Sequence, residues 1–231
     1  MTSASPVAIV TGASGNLGRA VVSSLARHGF RVVGVEHRTD VHAGSGQGDV
    51  TMLGGIDLGD EAQAAGVVDA VLASHGRIDA CVHTVGGFAY AAAADSDAAL
   101  FEKMFRLNVL TTANLFRAAL VPMRKARQGS LVAIGAGAAL KAPSGLAAYA
   151  AAKAGVLKIV ESYAEEAKGD GVRINAVLPS IIDTPQNRAD MPKADTSKWV
   201  APEKLAEVIA FLVSDAASAV TGASIPVPGR M

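Results

Sequence analysis

Tyr149 and Lys153 are the two residues of this 231-residue sequence whose types and spacing most directly suggest chemistry. Because they are four positions apart, they share one face of a helix. A lysine ammonium beside a phenol lowers the pKa of that phenol, so the tyrosine can exchange a proton near neutral pH. Taken alone, the pair is better explained as a half-buried tyrosine beside a solvated lysine, so its meaning depends on the elements that position it.

A glycine-rich turn near the N-terminus predicts a phosphate-binding site. Its sequence, Thr11-Gly-Ala-Ser-Gly-Asn-Leu-Gly18, separates an apolar β-branched run from a helical pattern. Gly12 permits a tight turn, Gly15 lets the backbone approach a pyrophosphate, and Gly18 lets helix and strand pack closely. An ordinary glycine turn is the alternative, but the strand–turn–helix context favours dinucleotide binding. The cofactor contacts predicted in this turn are Gly12, Ser14, Gly15, Asn16, Leu17 and Gly18.

Acidic residues at the ends of the next two predicted strands bear on which dinucleotide binds. Glu36 ends the second strand, where a carboxylate hydrogen-bonds the adenosine ribose and repels a 2′-phosphate; a solvated strand end is the alternative. Arg38, two residues further on, would instead attract a 2′-phosphate. Asp57 follows the third strand and either contacts the adenine or caps the next helix. These residues predict NAD as the cofactor, with NADP as the alternative.

Short apolar runs alternate with longer helical patterns along the chain. The predicted strands are 7–10, 31–35, a weak one near 52–56 within a glycine-rich polar loop (41–55), 78–84, 131–134, 172–178 and 224–227. The predicted helices are one that contains Leu17, Val21 and Leu25 and stops at Gly29, one that Asp60 caps and that runs to Gly76, and those at about 97–125, 148–168 and 202–213. Four prolines make residues 179–202 a loop or a broken helix.

Strands that alternate with helices in this way predict right-handed βαβ units. The predicted fold class is therefore α/β, with a single Rossmann-type, doubly wound parallel sheet that carries helices on both faces. No linker or internal repeat divides the sequence, so we expect residues 1–231 to form one dinucleotide-binding domain with a substrate loop at about 179–202. The ligand crevice of such a sheet lies at the carboxyl ends of its strands, at the switch point.

Composition excludes several classes of protein. Half of the residues are apolar and 18% are charged, which rules out disorder. Lys and Arg together number 21, as do Asp and Glu, so no basic excess favours nucleic-acid binding. Cys81 is the sole cysteine, no apolar run reaches the roughly 18 residues of a membrane span, and no histidine spacing predicts a metal site. The N-terminus shows no basic segment before its apolar run, so we expect a cytoplasmic protein.

The sequence resembles the short-chain dehydrogenase/reductase family over nearly its whole length. The resemblance rests on the glycine turn, Thr84-Val-Gly-Gly87, Asn108, Tyr149-Ala-Ala-Ala-Lys153, Asn175-Ala-Val-Leu-Pro179 and Ser218-Ala-Val-Thr-Gly222. It implies an NAD(P)-dependent oxidoreductase with a small-molecule substrate, in which Tyr149 donates a proton and Lys153 tunes it and binds the nicotinamide ribose. For Asn108 it implies support of a proton-relay water, with an exposed mid-helix asparagine as the alternative. The further cofactor contacts that it implies are Glu36, His37, Asp57, Thr84, Gly86, Lys153, Pro179, Ile181 and Thr184.

The resemblance also implies an assembly of identical subunits. The predicted helices 97–125 and 148–168 carry apolar residues on more than one face, among them Leu115, Phe116, Leu157 and Ile159. In the family these two helices pair across a two-fold axis. We therefore expect an isologous homodimer or a homotetramer.

The sequence departs from the family pattern where the family has a serine that orients the substrate carbonyl. That position lies 13 residues before the tyrosine and is Ala136 here. Alanine donates no side-chain hydrogen bond, and Ser144 lies too far along the loop to replace the serine. The glycine turn is also shifted, with Gly15-Asn16 where most members have a residue and then glycine, and Ser180 stands where a glycine is usual.

These departures resemble one branch of the family, dihydropteridine reductase. The shared features are the Gly-Ala-x-Ala-Ala-Leu segment at 135–140, the loop at 177–195 with Trp199, and Gly86-Gly87-Phe88. This resemblance implies hydride transfer to a small conjugated imine, which needs less carbonyl polarisation than a ketone does. Two other hypotheses stay open: a general carbonyl or 3-oxoacyl reductase of the same family, and a weakly catalytic dinucleotide-binding protein.

Overall fold

In a computed structural model that describes residues 5–41 and 49–231, seven parallel strands form one sheet. The strands are β1 (Val7–Thr11), β2 (Arg31–Val35), β3 (Val50–Leu53), β4 (Ala80–His83), β5 (Gly129–Ile134), β6 (Val172–Pro179) and β7 (Ser224–Val227). The α-helices are α1 (Asn16–Arg27), α2 (Glu61–His75), α3 (Ala98–Phe105), α4 (Thr111–Ala126), α5 (Ala147–Ala167), α6 (Pro185–Asp190) and α7 (Pro202–Val213). The strand order is β3-β2-β1-β4-β5-β6-β7, which confirms the predicted doubly wound sheet.

The order of the strands reverses between β1 and β4, and this reversal opens the crevice. The chain winds outward from β1 to β3, then crosses back to β4 and continues to β7. Thr11 at the end of β1 is paired with His83 at the end of β4. The loops that leave these two strands diverge to opposite sides of the sheet, and a ligand crevice forms between them.

Both faces of the sheet are buried, as alternate residues along β1 illustrate. Val7 and Ile9 face the cluster that contains the inner sides of α2, α4 and α5. Ala8 and Val10 face the cluster that contains α1 and α7. Because each strand buries side chains on both faces, its sequence is continuously apolar, which is the pattern of a parallel sheet covered by helices.

The third strand differs from the predicted one. It spans Val50–Leu53 rather than 52–56, because these four residues pair with Val32–Val35 of β2. Gly55 then turns the chain with a φ of +76°, and Ile56 lies beyond the strand. Part of the predicted loop 41–55, at residues 42–48, lies outside the described residues.

The predicted helix at 97–125 is not a single α-helix. It consists of α3 and α4 joined by a π-helical turn over Arg106–Leu110. Residues 179–202 contain the short helix α6, so the prediction of a broken helix is confirmed. Within the described parts of the chain, no helix combines the length and the apolar character that a membrane crossing requires.

The apolar residues that suggested an outer face on these helices lie mostly in the core. Leu115 and Phe116 are fully buried, and Leu157 is nearly so. They pack beneath the sheet with α2 and β5, because α4 and α5 cover one of its faces. These three residues therefore belong to the core of the subunit, whereas Ile159 is only partly buried.

Candidate active site

The glycine turn lies between β1 and α1 and needs glycine for two separate reasons. Gly12 has a φ of +64°, in the left-handed region that favours glycine. A Cβ atom on Gly12 would lie 2.8 Å from Oγ1 of Thr84, which donates a 2.7 Å hydrogen bond to the carbonyl oxygen of Thr11. The turn is thus closed against the loop that follows β4, and no side chain fits between them.

Gly18 brings the first turn of α1 against the backbone of the glycine turn. A Cβ atom at this position would overlap the carbonyl oxygen of Gly12 and lie 2.8 Å from its carbonyl carbon. Gly15 is the N-cap of α1, and no side chain caps the helix there. The first N–H groups of a 12-residue helix therefore open toward the crevice, which is the arrangement that binds phosphate groups.

Glu36 lies directly beside this turn. Its carboxylate accepts a hydrogen bond from the backbone N–H of Ser14. Arg38 lies further along, in an exposed bend, and Nδ1 of His37 is 3.4 Å from the carbonyl oxygen of Ile56. The carboxylate of Glu36 is thus in direct contact with the backbone of the glycine turn.

Asp57 does not cap the next helix, so that alternative was wrong. The cap of α2 is Asp60, whose carboxylate accepts from the N–H groups of Ala62 and Gln63. The carboxylate of Asp57 instead accepts from the N–H of Gly59 at 2.8 Å and from Nη2 of Arg106 at 2.7 Å. The Gly59 hydrogen bond, with Arg106 as a further cause, holds the pKa of Asp57 below its usual value.

Tyr149 and Lys153 share one face of α5, as predicted. Lys153 is buried rather than solvated. Its Nζ atom donates a hydrogen bond to the carbonyl oxygen of Ile134 at 2.8 Å and lies 6.0 Å from the centroid of the Tyr149 ring. Burial lowers the pKa of Lys153 to about 8. Burial also raises the pKa of Tyr149 to about 12, so without a cationic nicotinamide beside it the phenol does not show the lowered pKa that was predicted. The cause is desolvation of the phenolate.

Asn108 lies in the π-helical turn and is buried, so it is not an exposed mid-helix residue. Its Oδ1 atom accepts from the N–H of Gly87 at 3.2 Å, and its Nδ2 atom donates to the carbonyl oxygens of Gly87 and Met104 at 3.2 and 2.9 Å. In a regular α-helix, the carbonyl oxygen of Met104 accepts from the backbone N–H four residues further on. Here it accepts from the side-chain amide of Asn108. Short π-helical turns within α-helices are frequent at functional sites.

Gly86 brings Asn108 and Lys153 together. A Cβ atom on Gly86 would lie 2.7 Å from Oδ1 of Asn108 and 3.1 Å from Nζ of Lys153. The loop after β4, the π-helical turn and α5 therefore meet at one point. A side chain at position 86 would collide with Asn108 and crowd the lysine ammonium, so the loop after β4 approaches both groups this closely only because residue 86 is glycine.

Ala136 follows the end of β5, and it is buried. Ser144 is exposed on the loop further along. The ring of Phe88, from the loop after β4, lies edge-on to Tyr149 with 5.0 Å between centroids. The phenol therefore has an aromatic neighbour rather than a second hydroxyl.

Residues 179–202 close the other side of the crevice. Pro179 ends β6, and the carbonyl oxygen of Ile181 accepts from the N–H of Val200 at 2.9 Å. Oγ1 of Thr184 accepts from the N–H of Asn187 at 3.1 Å and caps α6. These contacts hold the two ends of the segment together at the carboxyl edge of the sheet.

Sequence reasoning missed two residues near the crevice. His83 is buried between Oγ1 of Thr11 at 2.8 Å and Oγ1 of Thr111 at 3.1 Å, and burial, with the charge of Lys153 as a smaller cause, lowers its pKa to about 3. In the sequence, His83 ends an apolar strand and directly precedes Thr84, and this position indicates that its side chain lies near the crevice. Arg106 contacts Asp57, which lies 49 residues earlier in the sequence, and no local sequence pattern predicts this pair.

Comparisons with known proteins agree with this arrangement. The family described as enoyl-(acyl carrier protein) reductase matches residues 12–229. The 3-oxoacyl-acyl-carrier-protein reductase FabG of Escherichia coli is 28% identical over 97% of this chain and 96% of its own length. The cis-4-hydroxycyclohexanecarboxylate dehydrogenase of Sinomonas cyclohexanicum is 33% identical over 96% and 95%. The crystal structure of gox2181 superposes with a TM-score of 0.90 at 31% identity, over 98% of this chain and 95% of that one.

Proposed function

The chain belongs to the short-chain dehydrogenase/reductase family of NAD(P)-dependent oxidoreductases, and we propose that it interconverts a small carbonyl compound and the corresponding alcohol. The observation that carries this proposal is the placement of Tyr149 and Lys153. Both lie at the carboxyl edge of the sheet, where Gly86 lets the loop after β4 approach the lysine ammonium closely. The proton donor Tyr149 and the phosphate-binding glycine turn therefore lie at the same edge of the sheet.

The residues of the crevice fit a dinucleotide. Gly12 and Gly18 let the turn pack tightly against the loop after β4 and against α1, because a Cβ atom at either position would collide with protein atoms. The N-terminus of α1, which no side chain caps, opens into the crevice beside this turn. When bound, the nicotinamide ring supplies or accepts the hydride. The residues that would hold the dinucleotide are Gly12, Ser14, Gly15, Asn16, Leu17 and Gly18 in the turn, Glu36, His37 and Asp57 at the adenosine end, and Thr84, Gly86, Lys153, Pro179, Ile181 and Thr184 toward the nicotinamide end.

Tyr149 is the proton donor in this proposal, because its phenol is the acidic group on the open face of α5. Lys153 binds the nicotinamide ribose and adds a positive charge that favours the phenolate. Asn108 positions the loop that carries Gly86, through its bonds to the backbone of Gly87. Burial raises the pKa of Tyr149 to about 12, and the positive charge of a cationic nicotinamide would lower it toward the range in which a general acid is efficient.

The comparisons favour a carbonyl substrate over a pterin. The relatives are named as reductases of a 3-oxoacyl group and dehydrogenases of alcohols, and both classes interconvert a carbonyl and a hydroxyl. The general carbonyl or 3-oxoacyl reductase is therefore the leading function. The dihydropteridine reductase-like activity remains the second candidate, because Ala136 leaves the acceptor atom with one hydrogen-bond donor instead of two, which suits a conjugated imine.

An assay of cofactor oxidation tests these alternatives. NADH and NADPH are each mixed with a simple ketone, a 3-oxoacyl thioester and a quinonoid dihydropterin. Turnover of the ketone or the thioester supports the leading proposal, and a preference for the pterin supports the second. Binding of the dinucleotide without turnover of any substrate would support the third hypothesis, a weakly catalytic binding protein.

Self-assembly is a separate part of the proposal. The core residues Leu115, Phe116 and Leu157 cannot form the interface, but Phe101, Phe105 and Leu110 of the adjoining helical stretch are 40%, 49% and 37% exposed. Apolar side chains of this size on one stretch of helix favour an isologous contact between two copies. Sedimentation at micromolar concentration tests it, and a 23.3 kDa monomer would refute it.

A further inference from the structure

Three large apolar side chains stand exposed on the two loops that flank Tyr149. Phe88 and Tyr90 belong to the loop after β4, and Leu140 belongs to the loop after β5. Their exposed fractions are 66%, 70% and 65%. We call these three residues the apolar rim. Exposed apolar groups that gather beside a crevice are typical of ligand-binding surfaces.

The contacts beneath the rim hold its two aromatic rings in place. Phe88 lies edge-on to Tyr149, at 5.0 Å between centroids and an interplanar angle of 68°. Tyr90 lies over Gly145, where a Cβ atom would come within 2.5 Å of Cζ of the ring. The N–H of Ala91 also donates to the carbonyl oxygen of Gly145 at 2.9 Å, which ties the two loops together. A glycine at 145 is thus required for Tyr90 to occupy its position.

The two loops carry almost no charge. Residues 84–94 contain no Asp, Glu, Lys or Arg, and residues 135–147 contain only Lys141. A substrate that carries a phosphate, a sulfonate or a carboxylate near its reacting carbon would find few charged partners on these loops. An uncharged substrate loses little when it leaves water for this surface.

The site lacks one side-chain hydrogen bond with which the family orients a substrate. Ala136 lacks the hydroxyl that would give the acceptor oxygen a second donor beside Tyr149. A flexible linear ketone held by one hydrogen bond can rotate about it. A rigid ring that lies against flat aromatic faces cannot, because stacking fixes its plane.

From these observations we propose that the substrate is a flat, uncharged cyclic carbonyl compound, whose ring packs against Phe88 and Tyr90 while its carbonyl oxygen accepts the proton of Tyr149. This inference rests on the proposed function and narrows its substrate class. A reduced nicotinamide dinucleotide would supply the hydride to the carbonyl carbon and would thereby be oxidised by two electrons. The π electron pair of the C=O bond would take the proton of Tyr149 to form the O–H bond, and solvent would reprotonate the phenolate.

The test compares two uncharged ketones that differ in shape: isatin, a flat ring compound, and ethyl acetoacetate, a linear one. We expect kcat/KM for isatin to exceed that for ethyl acetoacetate by about 10-fold or more. Phe88→Leu and Tyr90→Leu should each lower kcat/KM for isatin by about 3–10-fold, the range expected for loss of one aromatic contact. Each variant should lower kcat/KM for ethyl acetoacetate by a smaller factor than it lowers kcat/KM for isatin, so that the ratio of the two values falls.

Phe211→Leu is the matched control, because Phe211 is 45% exposed on α7 and has no part in the site. It should leave both substrates unaffected. Equal losses on both ketones in the rim variants, or a preference for the linear ketone in the wild type, would overturn the inference while leaving the reductase activity established.

If neither ketone is turned over with NADH or NADPH, the proposed function fails, and the rim is then tested by binding. Calorimetry with isatin and the NAD⁺-loaded protein should give binding that Phe88→Leu and Tyr90→Leu weaken and Phe211→Leu does not. Absence of binding to the wild type would overturn the inference as well.

Discussion

Lys153 donates a hydrogen bond from Nζ to the carbonyl oxygen of Ile134, 2.8 Å away, beside the carboxyl end of β5. The bond partly compensates the ammonium for the water that it loses on burial. It does not compensate fully, since burial still lowers the pKa of Lys153 from 10.5 to about 8. The protein thus keeps a costly buried charge at the crevice, next to the phenol of Tyr149.

The first prediction concerns the stability of the cofactor-free protein as a function of pH. Below about pH 8, Lys153 is charged in both the folded and the unfolded state, and the cost of burying it, at most roughly 3 kcal/mol, is fully present. Between about pH 8 and 10.5 the folded protein loses this proton before the unfolded chain does, so the cost disappears. We therefore expect the free energy of unfolding of wild type to rise over this window relative to that of Lys153→Met.

Urea titrations at several pH values measure this difference. Lys158→Met is the control, because Lys158 is exposed on the same helix. A difference between wild type and Lys153→Met that does not vary with pH would show that the lysine is not desolvated in the folded state.

Tyr149→Phe should lower kcat by about 100-fold or more, because general acid catalysis contributes at least this much. The affinity for NADH should change little, since the phenol is not an anchor of the dinucleotide in our proposal. Steady-state kinetics and fluorescence titration measure the two quantities. Tyr163→Phe, a half-buried tyrosine on the same helix, should behave as wild type. Near-full activity of Tyr149→Phe would place the acid elsewhere.

Glu36 should make the enzyme prefer NADH. Its carboxylate lies beside the N–H of Ser14, where a 2′-phosphate would be repelled. Glu36→Gln keeps a hydrogen-bond acceptor but removes the charge, so it should shift the ratio of kcat/KM values toward NADPH by about 1–3 kcal/mol. Glu61→Gln, on the exposed side of α2, should leave the ratio unchanged. A wild-type preference for NADPH would mean that Arg38 determines cofactor choice.

Gly18→Ala should disrupt the glycine turn. Its Cβ atom would overlap the carbonyl oxygen of Gly12, so either α1 or the turn must move. We expect a lower Tm and a loss of dinucleotide affinity. Gly66→Ala is the matched control, because a Cβ atom at Gly66 in α2 meets nothing within 4 Å. That variant should be more stable than wild type by up to about 1 kcal/mol, the helix preference of alanine over glycine.

Ala136→Ser should help ketones that develop negative charge on a single oxygen. A serine hydroxyl at this position adds the hydrogen-bond donor that the family usually has, and an oxyanion benefits from it. We expect kcat/KM for a simple ketone to rise relative to that for a conjugated imine. Ala142→Ser, on the exposed loop, should not change this ratio. An equal gain for both substrates would argue against a role for Ala136 in substrate choice.

Local patterns in the sequence were sufficient to predict much of the fold and part of the site. The glycines at 12, 15 and 18 and the apolar runs around them act over a few residues, so the strand, the turn and the helix could be predicted together. The four-residue spacing of Tyr149 and Lys153 likewise fixes their shared helix face. The reversal of strand order then follows from general rules for βαβ units.

Contacts between distant parts of the chain decided the rest. Asp57 lies beside Arg106, Asn108 beside Gly87, and His83 between two threonines, and no local spacing encodes these neighbours. The same is true of burial, which placed Leu115 in the core rather than on an interface. Burial also raised the pKa of Tyr149 where the sequence alone predicted a lowered one. Desolvation depends on everything that covers a group, and only the tertiary structure determines what covers it.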